Sequence, residues 1–264
     1  MPSGPQKEEF EPAWWLPGGH SQTLYRKLSR LEKVRQVRQR IELRDGDFID
    51  VDWATNIAIV NKATDLIVVI LHGLCGSSGS SYVLSLQRLL SENGVSSVAM
   101  NFRGCSGEMN RKARAYHSGI SDDVEEVFSN LTWLHPEKNF AFVGYSLGGN
   151  VLLKWLGESS GNSRIKKVVA VSTPFSLAHC SRAMLQGLGR LYGRYFVRKL
   201  LADLSNKKLY FEQVDNLDQL SEINQLGELT GISSIWEFDD KVTAPLHGFK
   251  DAEDYYNQCS SIGL

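Results

Sequence analysis

Residues 140–158 read FAFVGYSLGGNVLLKWLGE. The run before the serine is apolar or aromatic apart from Gly144, as expected of a strand buried on both faces. The run after it carries apolar residues at helical spacing. Between them Gly144-Tyr145-Ser146-Leu147-Gly148 forms a G-x-S-x-G motif, which places Ser146 on a sharp strand-to-helix turn. Such a turn explains its own glycines, because side chains two residues before and two after the serine would collide. It also sets Ser146 at a helix N-terminus, where free N–H groups and the helix dipole favour developing negative charge. Ser146 is therefore the candidate nucleophile, and Gly144 and Gly148 are the residues that permit its turn.

Working outward, apolar β-rich runs alternate with amphipathic stretches, the pattern of a mostly parallel sheet with helices on both faces. Strands are predicted over 48–54 (FIDVDWA), 66–71 (LIVVIL), 97–102 (SVAMNF), 140–145 and 167–172 (KVVAVS), with helices over 81–92 and 120–134. The second helix opens on Ser121 followed by Asp122 and Asp123, whose negative charge suits a helix N-terminus. Beyond about 176 helical patterns such as LYGRYFVRKLLADL follow one another without a clear strand. We therefore divide the chain into an α/β core over 1–175 and a helical cap over 176–264.

The strand LIVVIL ends in His72-Gly73-Leu74 and a loop, CGSSGSS. In a site of this kind one oxyanion donor comes from the loop after that strand and the other from the residue after the nucleophile. The expected donors are the backbone N–H groups of Leu74 and Leu147. The His72 side chain reads better as a structural histidine closing the turn. Arg103 and His117 sit in loops at the C-terminal ends of strands, where the active site of such a sheet lies. For both, ties between loops are the preferred role.

Composition excludes several classes. The 264 residues carry 29 basic and 30 acidic side chains, a net charge of -1, so no overall field draws the chain to nucleic acid. The longest aliphatic run, Leu66 to Leu71, is too short to span a bilayer, and the start MPSGPQKEEF lacks the apolar core of a signal peptide. A cytoplasmic location is expected. Cys75, Cys105, Cys180 and Cys259 are far apart and show no C-x-x-C spacing, which favours reduced thiols over a metal site. No cofactor is implied.

The order and content of several segments resemble one group, the YheT-like esterases of the α/β-hydrolase superfamily. The likeness rests on HSQT at 20–23, the Asp45-Gly46-Asp47-Phe48 turn, His72-Gly73-Leu74, FRGCSGE at 102–108, YHSG at 116–119, GYSLGGN at 144–150, and EFDD with TAPLHGF between 237 and 249. It implies an α/β-hydrolase fold and a carboxylic ester hydrolase without metal, in which Ser146 attacks an ester. The Leu, Tyr and Phe content of the cap points to a small-molecule ester with an apolar acyl or alkyl group.

The resemblance further implies an acid after the strand beyond the cap and a histidine after the last strand. The family's cap ends near Asp254-Tyr255-Tyr256, and this chain closes at Leu264. A C-terminally truncated relative is therefore expected, with KVVAVS left as an uncovered apolar edge. Downstream of Ser146, Asp239 and Asp240 precede His247, a formal serine, acid, histidine order. His247 is thus a candidate surrogate base, although in the family EFDD and TAPLHGF look like cap segments. The rival class is a binding protein that keeps the pocket without turnover. A membrane-surface helix over Leu191 to Leu204 is a third reading, for which a cap helix over the site is sufficient explanation.

Overall fold

The computed structural model describes residues 11–19, 21, 25, 34–55, 64–159 and 161–263. His20, Gln22, Thr23, the segment MPSGPQKEEF and Leu264 lie outside them. Strands β1 (Gln36–Glu42), β2 (Phe48–Ala54), β3 (Leu66–Leu71), β4 (Ser96–Met100), β5 (Asn139–Tyr145) and β6 (Ile165–Val171) form one sheet. Their spatial order is β1-β2-β4-β3-β5-β6. The last four are mutually parallel, while β2 runs antiparallel to both of its neighbours.

Residue alternation in the central strands builds two cores. Ile67, Val69, Leu71, Phe140 and Phe142 face one side and pack with Phe128 and Leu131 of α2 (Ser121–Leu134) and Leu152 and Trp155 of α3 (Leu147–Glu158). Val68, Ile70 and Ala141 face the other, under Val83, Leu86 and Leu90 of α1 (Ser81–Glu92). Both faces are covered, so these strands read as continuous apolar runs.

The sequence reading missed β1. Its residues, QVRQRIE, lack an apolar run because the strand is an edge, and Arg38 and Arg40 reach across it to Asp52 and Asp50 at 2.9 and 2.8 Å. The strand expected over 97–102 ends at Met100, where Asn101 turns its side-chain amide onto the Asp50 carbonyl and the Asp52 carboxylate. The strand expected over 167–172 begins at Ile165 and stops before Ser172, whose φ of 52° breaks extended geometry. Among the described residues β6 pairs only with β5 and forms the sheet's edge, with Val169 half exposed.

After β6 every regular element among the described residues is helical: α4 (Leu177–Ala183), α5 (Gly189–Gln213), α6 (Leu217–Asn224), α7 (Ile235–Phe238), a π-helical turn at Asp239–Thr243, α8 (Ala244–Leu246) and α9 (Ala252–Cys259). None of the described helices is long and apolar enough to cross a membrane.

Candidate active site

Ser146 joins β5 to α3 with φ 51° and ψ -118°, a backbone conformation that non-glycine residues rarely adopt. The turn is held on both sides. Ser146 N–H donates to the Val171 carbonyl of β6 at 2.8 Å, and the Ser146 carbonyl accepts from Gly149 N–H at 2.9 Å. A Cβ on Gly144 would lie 2.5 Å from the Gly148 carbonyl oxygen, and one on Gly148 would lie 2.5 Å from that of His72. Gly149, which the motif does not require, is equally confined, since its Cβ would run into the Thr173 hydroxyl. That constraint is invisible in sequence because Thr173 arrives from the far end of β6.

The loop after β3 reaches over the serine, with a Cβ built on Gly73 only 3.3 Å from Ser146 Cβ. Two tyrosines fix it. Gly73 N–H donates to the Tyr82 hydroxyl and Cys75 N–H to the Tyr116 hydroxyl, each at 2.9 Å. Leu74 N–H between them has no acceptor among the described residues, and neither has Leu147 N–H at the first position of α3. The two predicted oxyanion donors are thus unengaged, and both residues line the same cavity as Ser146. The tyrosines that hold the loop open were not foreseen, as they sit 9 and 41 residues from their partners.

His72 is buried. Phe102 N–H donates to its Nε2 at 3.2 Å, which leaves the proton on Nδ1 to meet the Gly73 carbonyl at 2.8 Å. Burial pushes its pKa down to about 4, so it is a neutral strut between two strand-end loops. Arg103 is likewise structural. Its Nε and Nη2 form a fork onto Asp123 at 2.8 and 2.6 Å, and its Nη1 reaches Asp45 at 2.6 Å and Asp47 at 3.0 Å. Asp123 therefore serves this buried cluster instead of acting only as a helix-start charge.

A 560 Å³ cavity opens beside Ser146. The core contributes Leu74, Tyr82, Tyr145 and Leu147, and the helices after β6 contribute Met184, Phe196, Leu200 and Tyr255. Its lining is mainly apolar, with the Asp239 carboxylate as the acidic group on the wall. Asp239 accepts from the Thr243 and Tyr256 hydroxyls, both at 2.7 Å, and burial pushes its pKa up to about 6. Its place in a π-helical turn accords with the frequent use of such turns at functional sites.

His247 does not join this cavity. Its Nδ1 lies 2.7 Å from the Thr243 carbonyl and its Nε2 2.9 Å from the Ala115 carbonyl, and it lines a separate small recess behind the wall. With both nitrogens turned to carbonyl oxygens it presents no lone pair to the serine, and the surrogate-base expectation finds no geometric support. The formal order Ser146, Asp239, Asp240, His247 is split in space, with Asp240 accepting from Ala252 N–H at 3.0 Å. His117 lies on the Ser146 cavity, 4.5 Å ring to ring from His247. Its Nδ1 accepts from Gly119 N–H at 3.2 Å, and burial holds its pKa well below the usual range. Among the described residues no ring nitrogen bonds Ser146 Oγ, and no group of three or more His, Cys, Asp or Glu is arranged to hold a metal.

Two further ties bind the helices to the core. Asn150 on α3 donates to the carbonyls of Ser118 and Cys259 at 2.8 and 2.7 Å and accepts from Ser261 N–H at 3.0 Å. Lys199 on α5 donates to the Cys75 carbonyl at 2.5 Å, in the loop that carries Leu74.

Residues 67–214 match the family model described as alpha/beta hydrolase fold. The chain is 39% identical over 260 residues to "Putative esterase YheT" of Escherichia coli (strain K12), an alignment that covers 97% of this chain and 73% of that protein. It is 29% identical to human "Phospholipase ABHD3" over 96% of this chain and 61% of that one. It is also 29% identical to "Monoacylglycerol lipase" of Saccharomyces cerevisiae, over 74% of this chain and 43% of the yeast protein. The chain thus spans between 43% and 73% of the length of these three relatives. With more than half of its residues under the family model and this identity to YheT, the chain belongs to the α/β-hydrolase fold family and, within it, to the YheT-like group.

Proposed function

We propose that this protein is a serine ester hydrolase in which Ser146 attacks the ester carbonyl and the Leu74 and Leu147 N–H groups hold the resulting oxyanion. An acyl-enzyme forms as the alcohol leaves, and water releases the acid. The observation that carries this reading is the strained Ser146 turn with two unengaged N–H groups whose residues line the same apolar cavity. The substrate is an ester with an apolar acyl or alkyl group. A cavity of 560 Å³ falls within the usual range for small-molecule sites, and its wall of Met184, Phe196 and Leu200 suits a hydrocarbon chain. The esterase and lipase names of the relatives agree with that chemistry.

A second reading is favoured by one observation: Ser146 Oγ meets no base among the described residues. An unactivated serine in an intact pocket is the mark of a binding protein, because loss of a triad member costs several orders of magnitude in rate. Hydrolysis of short and medium p-nitrophenyl esters by the 264-residue chain, beside Ser146→Ala, separates the two. Activity that disappears in Ser146→Ala supports the hydrolase. Equal background rates from both folded proteins, with no labelling of Ser146 by a fluorophosphonate, leave this chain as a binder.

A further inference from the structure

Charge is distributed unevenly along the chain. Residues 159–202 contain eight Lys or Arg and no Asp or Glu. With a net charge of -1 overall, the rest of the chain carries -9. Part of this cationic stretch forms the corner between α4 and α5. There Arg190, Arg194 and Arg198 recur every fourth residue along one exposed stripe of α5. None of the three has an ion-pair partner among the described residues.

Interleaved with these cations are large apolar side chains turned to solvent. Leu185, Leu188, Leu191 and Tyr195 are each at least 50% exposed, at a corner where burial would be expected to recruit them. The opposite face of the same helices is buried at Gly193 and Val197 and presents Met184, Phe196 and Leu200 to the Ser146 cavity. A 340 Å³ recess bordered by Arg190 and Arg194 lies beside the corner. Leucines and a tyrosine set among unpaired arginines, in a chain otherwise negative, match one kind of partner by charge and by apolar depth.

We propose that the α4–α5 corner docks on the surface of a bilayer containing anionic phospholipid, with Leu185, Leu188 and Leu191 entering the acyl boundary and the arginines meeting headgroup phosphates. Docking brings lipid to the helices that wall the cavity, so an acyl chain would reach Ser146 past Met184 and Phe196 without crossing bulk water. The surface does not depend on the reactivity of Ser146, and its failure and that of the hydrolase reading are separable.

The test is co-sedimentation of the 264-residue chain with phosphatidylcholine vesicles containing about a third phosphatidylglycerol, beside pure phosphatidylcholine vesicles. Binding is expected to the anionic vesicles only and to fall steeply at about 0.5 M salt. Each cation near such a surface is worth about a fivefold change in partition, so Arg190→Gln/Arg194→Gln/Arg198→Gln should weaken binding by about a hundredfold. Leu188→Ser/Leu191→Ser should also lose binding, while Ser146→Ala should bind like the parent. All of these positions except the serine are exposed, which leaves folding intact. Equal binding to both vesicle types, no binding to either, or self-association that Leu188→Ser/Leu191→Ser abolishes would overturn the proposal.

Discussion

Replacing Arg103 by methionine removes the central cation of a buried cluster and leaves Asp123 without its ion-pair partner. The Asp47 and Asp123 side chains are fully buried, and Asp45 is a third exposed. Asp47 retains Asn110 and the Arg111 N–H as donors, whereas Asp123 loses the fork that neutralises it. Breaking a buried pair from one side costs about 3–5 kcal/mol, equivalent to a fall in Tm of about 10 °C for a chain of this size. The sign with pH follows from Asp123, which burial already pushes up to about 6 beside Arg103. Without the arginine its folded pKa rises further above the unfolded value, so the native state gains protons relative to the unfolded state as pH falls. The deficit of Arg103→Met should therefore be largest near pH 8 and shrink towards pH 5. Urea titrations of parent and variant followed by far-UV circular dichroism at those two pH values measure both effects. A loss under about 1 kcal/mol at pH 8, or one that does not change with pH, would refute the account of Arg103 as the brace between the 45–48 turn, the loop after β4 and α2.

Three other outcomes follow from the site. Ser146→Gly relaxes the backbone at φ 51° and should raise stability by about 1 kcal/mol net of the added chain entropy, seen as a higher urea midpoint, while Ser146→Ala does not. Gly148→Ala places a methyl 2.5 Å from the His72 carbonyl and should cost about 3 kcal/mol and abolish fluorophosphonate labelling, a result that normal labelling would contradict. Asp239, with its folded pKa raised to about 6 by burial, opposes folding increasingly as pH rises to that value. Asp239→Asn should flatten the decline in stability between pH 4 and pH 6, by at most ~3 kcal/mol, and an unchanged pH profile would show that the carboxyl is better solvated than its two hydroxyl partners suggest.

The elbow was legible because it is local. A strand, five residues of fixed chemistry and a helix stand in one continuous run, and the structure has Ser146 at a strained strand-to-helix turn with Gly144 and Gly148 closely confined beside it. What was not legible is long-range. The strand β1 hides its pattern behind arginines that pair across the sheet edge. Asn150 reads as the tail of GYSLGGN, and nothing near it announces partners more than a hundred residues away. His247 shows the same limit from the opposite side, since its order after Ser146 and Asp239 suggests a relay while its ring is held between carbonyls of Thr243 and Ala115. Sequential order constrains topology, but hydrogen-bond direction decides what a ring nitrogen can accept.

The Lys199 contact has a mechanical meaning. Its ammonium group connects the α5 wall of the cavity to the Cys75 carbonyl, two peptide units along the chain from the Leu74 N–H. The contact ties the position of α5 to the loop that carries Leu74. In the oxyanion role proposed for the Leu74 amide, filling the cavity and orienting that donor would be one coupled equilibrium, and by reciprocity a charge bound there would alter how readily the wall yields to a guest.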